Sequence, residues 1–186
     1  MSLEELLEPE LLQTDAGQVI LRLPQSTDRA KLINLRREGL ALHPNHFGMS
    51  ADLPDEKFQE WANNWLDPMI AQFFPVVCEF DKNIVGMGCI RRNNSPKTSH
   101  SATINAVYLS PEWRGKGIMQ RIFLRLEAWA IFYNLHHIKL GVTTTNEAAI
   151  KMYKKAGFEI YAMDPYSLNV DGNLWNEYLM IKVLKP

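Results

Sequence analysis

The sequence predicts an α/β domain in which one mixed sheet of about seven strands carries about four helices on its two faces. Three observations predict it. Segments of strand-like and helix-like period follow in the order strand, helix, helix, three strands, helix, strand, helix, two strands. Two of the central strands flank Asp81-Lys82-Asn83, a short polar hairpin turn. The stretch Asn105–Phe123 runs from a β-prone segment through a Gly-rich turn into an apolar-periodic helix, joining sheet and helix at one place.

Each element has a local reason. Residues 1–16 mix Leu and Glu without a settled period and read as a loosely held, flexible N-terminal arm, leaving 17–186 as a single domain. Val19 to Leu23 is a strand ended by Pro24, and Ser26 or Thr27 is placed to cap a helix running to about Leu42. Gly39 weakens that helix locally. After the turn-rich loop His43–Gly48, Pro54 suits the first turn of a second helix, whose Phe58, Trp61, Ala62, Trp65 and Leu66 recur at 3–4 spacing. Pro75 to Phe80 and Ile84 to Arg91 are the hairpin strands, and Ser99 to Leu109 is the long strand that follows. The helix from about Gly117 to Asn134 is apolar nearly all round in its second half and is expected to be buried. His137 to Val142, a helix from Asn146 to Gly157, and strands Phe158–Met163 and Leu174–Val183 complete the chain.

Composition narrows the function classes. Among 186 residues, 46% are hydrophobic and 22% charged, ordinary for a folded domain. A formal net charge of -1 argues against broad nucleic-acid binding, which requires a basic surplus. No apolar run approaches membrane-spanning length, and the acidic start Met1–Glu5 is unlike a signal peptide. Cys78 and Cys89 read as two buried thiols in a reducing compartment, so the expected location is cytoplasmic.

The chemistry concentrates in two stretches. In the first, Val107 and Leu109 share one strand face, Ser110-Pro111-Glu112 stops the strand, and Gly115 and Gly117 lead into the helix opened by Ile118 and Met119. A helix N-terminus preceded by glycines binds anions, because its first N–H groups lack partners and its dipole is positive there. Arg114 and Lys116 add two mobile cations. An ordinary tight turn into a helix is the other reading of the same glycines. A P-loop is excluded because Gly115-Lys116 is followed by Gly117, and a dinucleotide fingerprint at Gly86-Met87-Gly88 lacks its third glycine, replaced by Arg91.

Arg114-Gly115-Lys116-Gly117-Ile118 resembles the pyrophosphate-binding core of the GNAT acetyltransferases. Met119 stands where that pattern has Gly or Ala, and fits if its side chain turns into the core. The second stretch, Asn146–Phe158, is similar to the GNAT segment ending in Tyr, a short spacer, Gly and Phe. Asn146 and Tyr153 are two helical turns apart and lie on nearly one face. Read locally, Asn146 is an N-cap and Tyr153 packs on Phe158 across the helix end.

The resemblance implies a mostly antiparallel GNAT-like sheet and acetyl-CoA as cosubstrate without a metal. It implies a cofactor site at Val107, Tyr108, Leu109, Arg114, Gly115, Lys116, Gly117, Ile118, Met119, Asn146 and Tyr153. The strand ending at Leu109 and the strand His137–Val142 should splay to admit the thioester arm, and Tyr153 should act as general acid toward the CoA sulfur. The implied reaction is N-acetyl transfer to a primary amine of a small molecule or peptide, with a homodimer left open. A non-catalytic acyl-CoA-binding or protein-interaction module on the same fold is the alternative, since the strand before the turn carries Asn105, Ala106 and Tyr108 and no carboxylate base. Glu38, His43, His46, Glu79 and Glu177 are the other base candidates, and Phe47, Trp61, Trp65, Tyr108 and Trp175 the expected acceptor wall.

Overall fold

A computed structural model describes residues 2–184. Helices α1 (Leu3–Leu7), α2 (Arg29–Leu42), α3 (Asp55–Leu66), α4 (Ile118–Phe132) and α5 (Glu147–Lys155) surround eight strands. These are β1 (Glu10–Thr14), β2 (Gly17–Arg22), β3 (Phe73–Phe80), β4 (Asn83–Arg92), β5 (Ser101–Leu109), β6 (His137–Thr143), β7 (Glu159–Val170) and β8 (Asn173–Val183). The sheet order is β1-β2-β3-β4-β5-β6-β8-β7, and β5–β6 is the parallel pair in an otherwise antiparallel sheet. The mixed, mostly antiparallel architecture is the expected one, with eight strands and five helices in place of seven and four.

The extra strand and helix come from residues 2–16, which form α1 and β1 in place of the expected loose arm. Ser2 and Glu5 make a reciprocal capping box at the start of α1. Leu6 is 1% exposed and belongs to the main core. Arg125 of α4 donates to the carbonyls of Leu6 and Glu8 at 2.6 and 2.9 Å, and β1 pairs with β2 through five rungs. Ser2-Leu3-Glu4-Glu5 carried the helix-start signal, but the burial of Leu6 depends on α4 and is invisible locally.

The two sheet faces bury separate cores. On β3, Phe74, Val76 and Cys78 face α4 with Ile118, Ile122, Leu126 and Trp129, while Phe73 and Val77 face α2 and α3 with Leu32, Leu35 and Trp65. Alternate residues of a strand point to opposite faces, which is why one strand serves both. Gly39 is explained by close approach: a Cβ there would stand 3.0 Å from the Tyr108 ring. Neither Ser26 nor Thr27 caps α2. A short 3-10 turn, Ser26–Asp28, precedes it, and Asp28 accepts from Gln25 N–H at 2.7 Å and from Arg22 at 2.6 Å. The second half of α4 is not buried all round, since Ile131 and Phe132 are exposed. Both cysteines are free and buried. No described helix is long and apolar enough to cross a membrane.

Candidate active site

The site begins with a strand defect. Ala106 in β5 has φ of +52°, and the register passes from Met87↔Tyr108 to Cys89↔Asn105, so Gly88 opposes both Ala106 and Val107. The bulge shifts the phase of the strand. Ile104 and Val107, three apart, both pack toward α4, which a regular strand does not allow. Ahead of the bulge, after Thr103, β5 separates from β6. Their pairing covers Ser101↔His137, Ala102↔Ile138 and Thr103↔Lys139 and then stops, although the strands continue to Leu109 and Thr143. Unpaired backbone in a sheet interior requires another partner, and here it borders a cleft.

That cleft has a volume of about 1020 Å³, and all eleven residues expected at a cofactor site line it. Val107, Tyr108 and Leu109 come from the splayed end of β5, and Asn146 and Tyr153 from α5 across the gap. At one end stands the turn into α4. Gly115 and Gly117 have φ of +78° and +77°, a region that a Cβ makes costly, and nothing lies within 4 Å of where either Cβ would stand. The backbone at the N-terminus of α4 therefore opens onto free space suited to a phosphate. Met119 is partly buried against the α4-side core while also lining the cleft, so its side chain turns as its position requires.

Both cations of the turn have partners. Arg114 Nε donates to Leu109 O at 3.0 Å, and its Nη2 lies 3.1 Å from His43 Nε2. Lys116 Nζ pairs with Asp15 at 2.8 Å, and this contact draws the Asp15 carboxyl below its usual range. The β1–β2 turn thus braces the glycine turn.

Asn146 caps α5 through Ala149 N–H at 3.2 Å, while its Nδ2 lies 3.2 Å from His46 Nδ1. At the far end of α5, Phe158 N–H donates to Tyr153 O and Gly157 N–H to Lys154 O, both at 3.0 Å, closing the helix with Gly157 at φ +91°. Tyr153 therefore terminates the helix and also lines the cleft. Its ring packs on Phe123 and Phe158, and burial pushes its phenol well above the usual tyrosine range. The hydroxyl is protonated at neutral pH.

The base candidates separate. Glu79 is bound to Arg22, outside the cleft lining, and Glu38 accepts from Tyr108 Oη at 2.8 Å. His43, His46 and Glu177 line the cleft. Burial, then the neighbouring charges, lowers both imidazoles below their ordinary value, and the acceptor nitrogen of each neutral ring is taken up by Arg114 and by the Asn146 amide. Of the residues expected as an acceptor wall, Phe47, Trp61, Trp65 and Tyr108 line the cleft, Trp175 does not, and Glu177 is the residue that the last hairpin contributes. Among the described residues, no group of three or more His, Cys, Asp or Glu is placed to hold a metal. Arg36 and Arg91 also line the cleft. The Arg36 signal was available, because Leu32, Arg36 and Leu40 form one i, i+4, i+8 stripe on an apolar helix face. That of Arg91 was not.

Comparison with known proteins agrees with this geometry. An uncharacterised N-acetyltransferase of Mycobacterium tuberculosis strain H37Rv is 25% identical over 77% of this chain and 86% of its own. The L-amino acid N-acetyltransferase AaaT of Escherichia coli is 24% identical over 90% of this chain and 99% of its own. The fold matches that of YncA, a putative acetyltransferase of Salmonella typhimurium solved with acetyl-CoA, at a TM-score of 0.77 and 18% identity, covering 90% of this chain and 95% of that one. Residues 37–158 match the acetyltransferase (GNAT) family, two thirds of the chain including the bulge, the glycine turn and α5. The chain belongs to the acetyltransferase (GNAT) family and is an acyltransferase.

Proposed function

We propose that this enzyme transfers the acetyl group of acetyl-CoA to a primary amine of a small molecule or peptide, by direct attack within a ternary complex. The observation that carries the reading is the opening between β5 and β6, which has the Arg114–Gly117 turn at one end and Tyr153 on its wall. The pyrophosphate lies against the N–H groups opening α4, with Arg114 and Lys116 beside it. The pantetheine arm follows Val107 to Leu109, whose backbone N–H groups polarise the acetyl carbonyl, and Asn146 touches the arm from α5.

A neutral amine attacks the carbonyl carbon. The C–N bond forms as the C–S bond breaks, Tyr153 protonates the departing sulfur, and the amine surrenders one proton to water. The tyrosine is then reprotonated, so the products are an amide and a free thiol. The L-amino acid named for the E. coli relative supports a small-molecule acceptor.

A cytoplasmic enzyme needing no metal is part of the same reading. So is a homodimer, for which the exposed Tyr161, Met163 and Tyr166 on edge strand β7 offer a surface. The absence of a carboxylate on β5 favours one rival, a CoA-binding module without turnover. Thermal unfolding with acetyl-CoA, ATP or NAD tests the cofactor, and free-thiol release with an amine panel tests turnover. Acetyl-CoA at about 100 times its dissociation constant adds about 2.7 kcal/mol of stability. A shift without thiol release on any amine leaves the module; no shift removes both readings.

A further inference from the structure

The acceptor end of the cleft contains a buried cation that no carboxylate among the described residues pairs with. Arg36, on α2, is 6% exposed, and its Nε and Nη1 are buried without a hydrogen-bond partner. The other described residues with buried, unpartnered side-chain polar atoms are Arg37, Gln72, Arg125 and Trp175, and none of them lines the cleft. The guanidinium lies over the Phe47 ring at 4.7 Å and within 5.7 Å of the Trp61 ring centroid. These faces attract it but accept no N–H bond along its edge. Burial lowers its pKa to about 10, so it remains charged at neutral pH. A buried, unpaired guanidinium is costly, and one facing a cleft is suited to a bidentate anion.

The phosphates of CoA do not supply that anion. In the acetyl-transfer reading, on which this inference rests for the direction of the cleft, they lie at the Arg114–Gly117 turn. Arg36 instead lies on α2 beside Phe47 and Trp61 and close to Cys89 of β4. Arg91, stacked on Phe73 at 4.3 Å, adds a second cation on β4. The carboxylate lining the cleft is Glu177, on β8, engaged by Ser167 Oγ.

We propose that Arg36 binds a carboxylate of the acceptor, so that the amine acetylated is that of a free amino acid whose apolar side chain rests on Trp61 and Trp65. Arg36 is a specificity-determining residue: it holds the carboxylate and thereby places the nearby amine. Peptide N-termini and simple alkylamines, which lack a carboxylate next to the amine, are poor acceptors.

The test uses the full-length protein and three matched ligands: L-phenylalanine, L-phenylalaninamide and phenethylamine. Binding is measured by calorimetry with and without CoA, and turnover by thiol release from acetyl-CoA. The wild type should prefer L-phenylalanine over both others by about 30-fold or more, the loss typical when one partner of a buried charge pair is removed. Arg36→Met should lose that preference, weakening L-phenylalanine alone, while CoA binding and the melting temperature are retained. Arg36→Lys, a point charge without the fork, should fall between. Equal binding of amino acid and amide by the wild type overturns the proposal without any variant, as does an Arg36→Met enzyme with unchanged preference. CoA binding is read separately, so failure of the acetyl-CoA reading shows in that signal and failure of the carboxylate assignment in the ligand series.

Discussion

His43 lies flat against His46, their ring centroids 4.9 Å apart and their planes 3° from parallel. His43 Nε2 meets Arg114, and His46 Nδ1 meets Asn146. A loop between two helices thus bridges the glycine turn and the N-terminus of α5, the two walls of the cleft. The bridge works with neutral rings, because two imidazolium ions stacked beside a guanidinium repel one another.

It follows that acid should weaken this bridge. Burial and the adjacent charges lower both imidazole pKa values in the folded state, so the unfolded chain binds more protons below its ordinary histidine value of about 6.5. Stability is fully present above that value and declines as pH falls through it. Melting temperatures followed from about pH 7.5 to about pH 5 should decline in the wild type and be flatter in a His43→Gln, His46→Gln double variant. Parallel slopes in the two proteins exclude the bridge as the source.

Tyr153→Phe separates catalysis from packing. The ring contacts with Phe123 and Phe158 survive the change, so stability and acetyl-CoA affinity should be retained. Loss of the general acid should lower turnover by about 10² to 10⁴-fold. Unchanged thiol release would show that the sulfur leaves without a proton from this group.

Gly117 tests the phosphate turn in two steps. Gly117→Ala places a Cβ on backbone at φ +77°, in open space, and should cost about 1–2 kcal/mol of stability through strain alone. Gly117→Glu adds a carboxylate at the mouth of the α4 N-terminus and should abolish the thermal shift by acetyl-CoA. If the Glu variant folds and still shows the full shift, the pyrophosphate lies elsewhere.

Leu6→Ala tests whether the N-terminal segment belongs to the folded body. The side chain is 1% exposed within the α4-side core, and truncation of such a leucine typically costs about 2–5 kcal/mol. A chemical denaturation midpoint that does not move would return residues 2–14 to the status of an arm. Because Lys116 is tied to Asp15, the same variant should also weaken acetyl-CoA binding modestly, read by calorimetry.

The sequence by itself determined whatever depends on neighbours along the chain. Positive φ at Gly115 and Gly117, the Asn146 cap, the Gly157 helix stop and the Asp81–Asn83 hairpin turn follow from local backbone sterics, and short-range periodicity placed the main helices and strands. These same features carried the family resemblance. What only the tertiary structure decided are pairings between distant segments. Arg114 meets His43 across 71 positions and Asn146 meets His46 across 100, so no local pattern could show that the loop histidines close the cleft. Ala106 takes its positive φ because β4 and two packed faces impose a bulge on a residue that would otherwise be regular strand. Leu6 is core only because α4 covers it. Arg36 was visible as a cation on an apolar stripe, but its lack of a partner depends on what Phe47, Trp61 and the sheet enclose. Backbone conformation is set by local sterics, whereas desolvation and charge pairing are set by whichever distant groups the fold brings within a few ångströms.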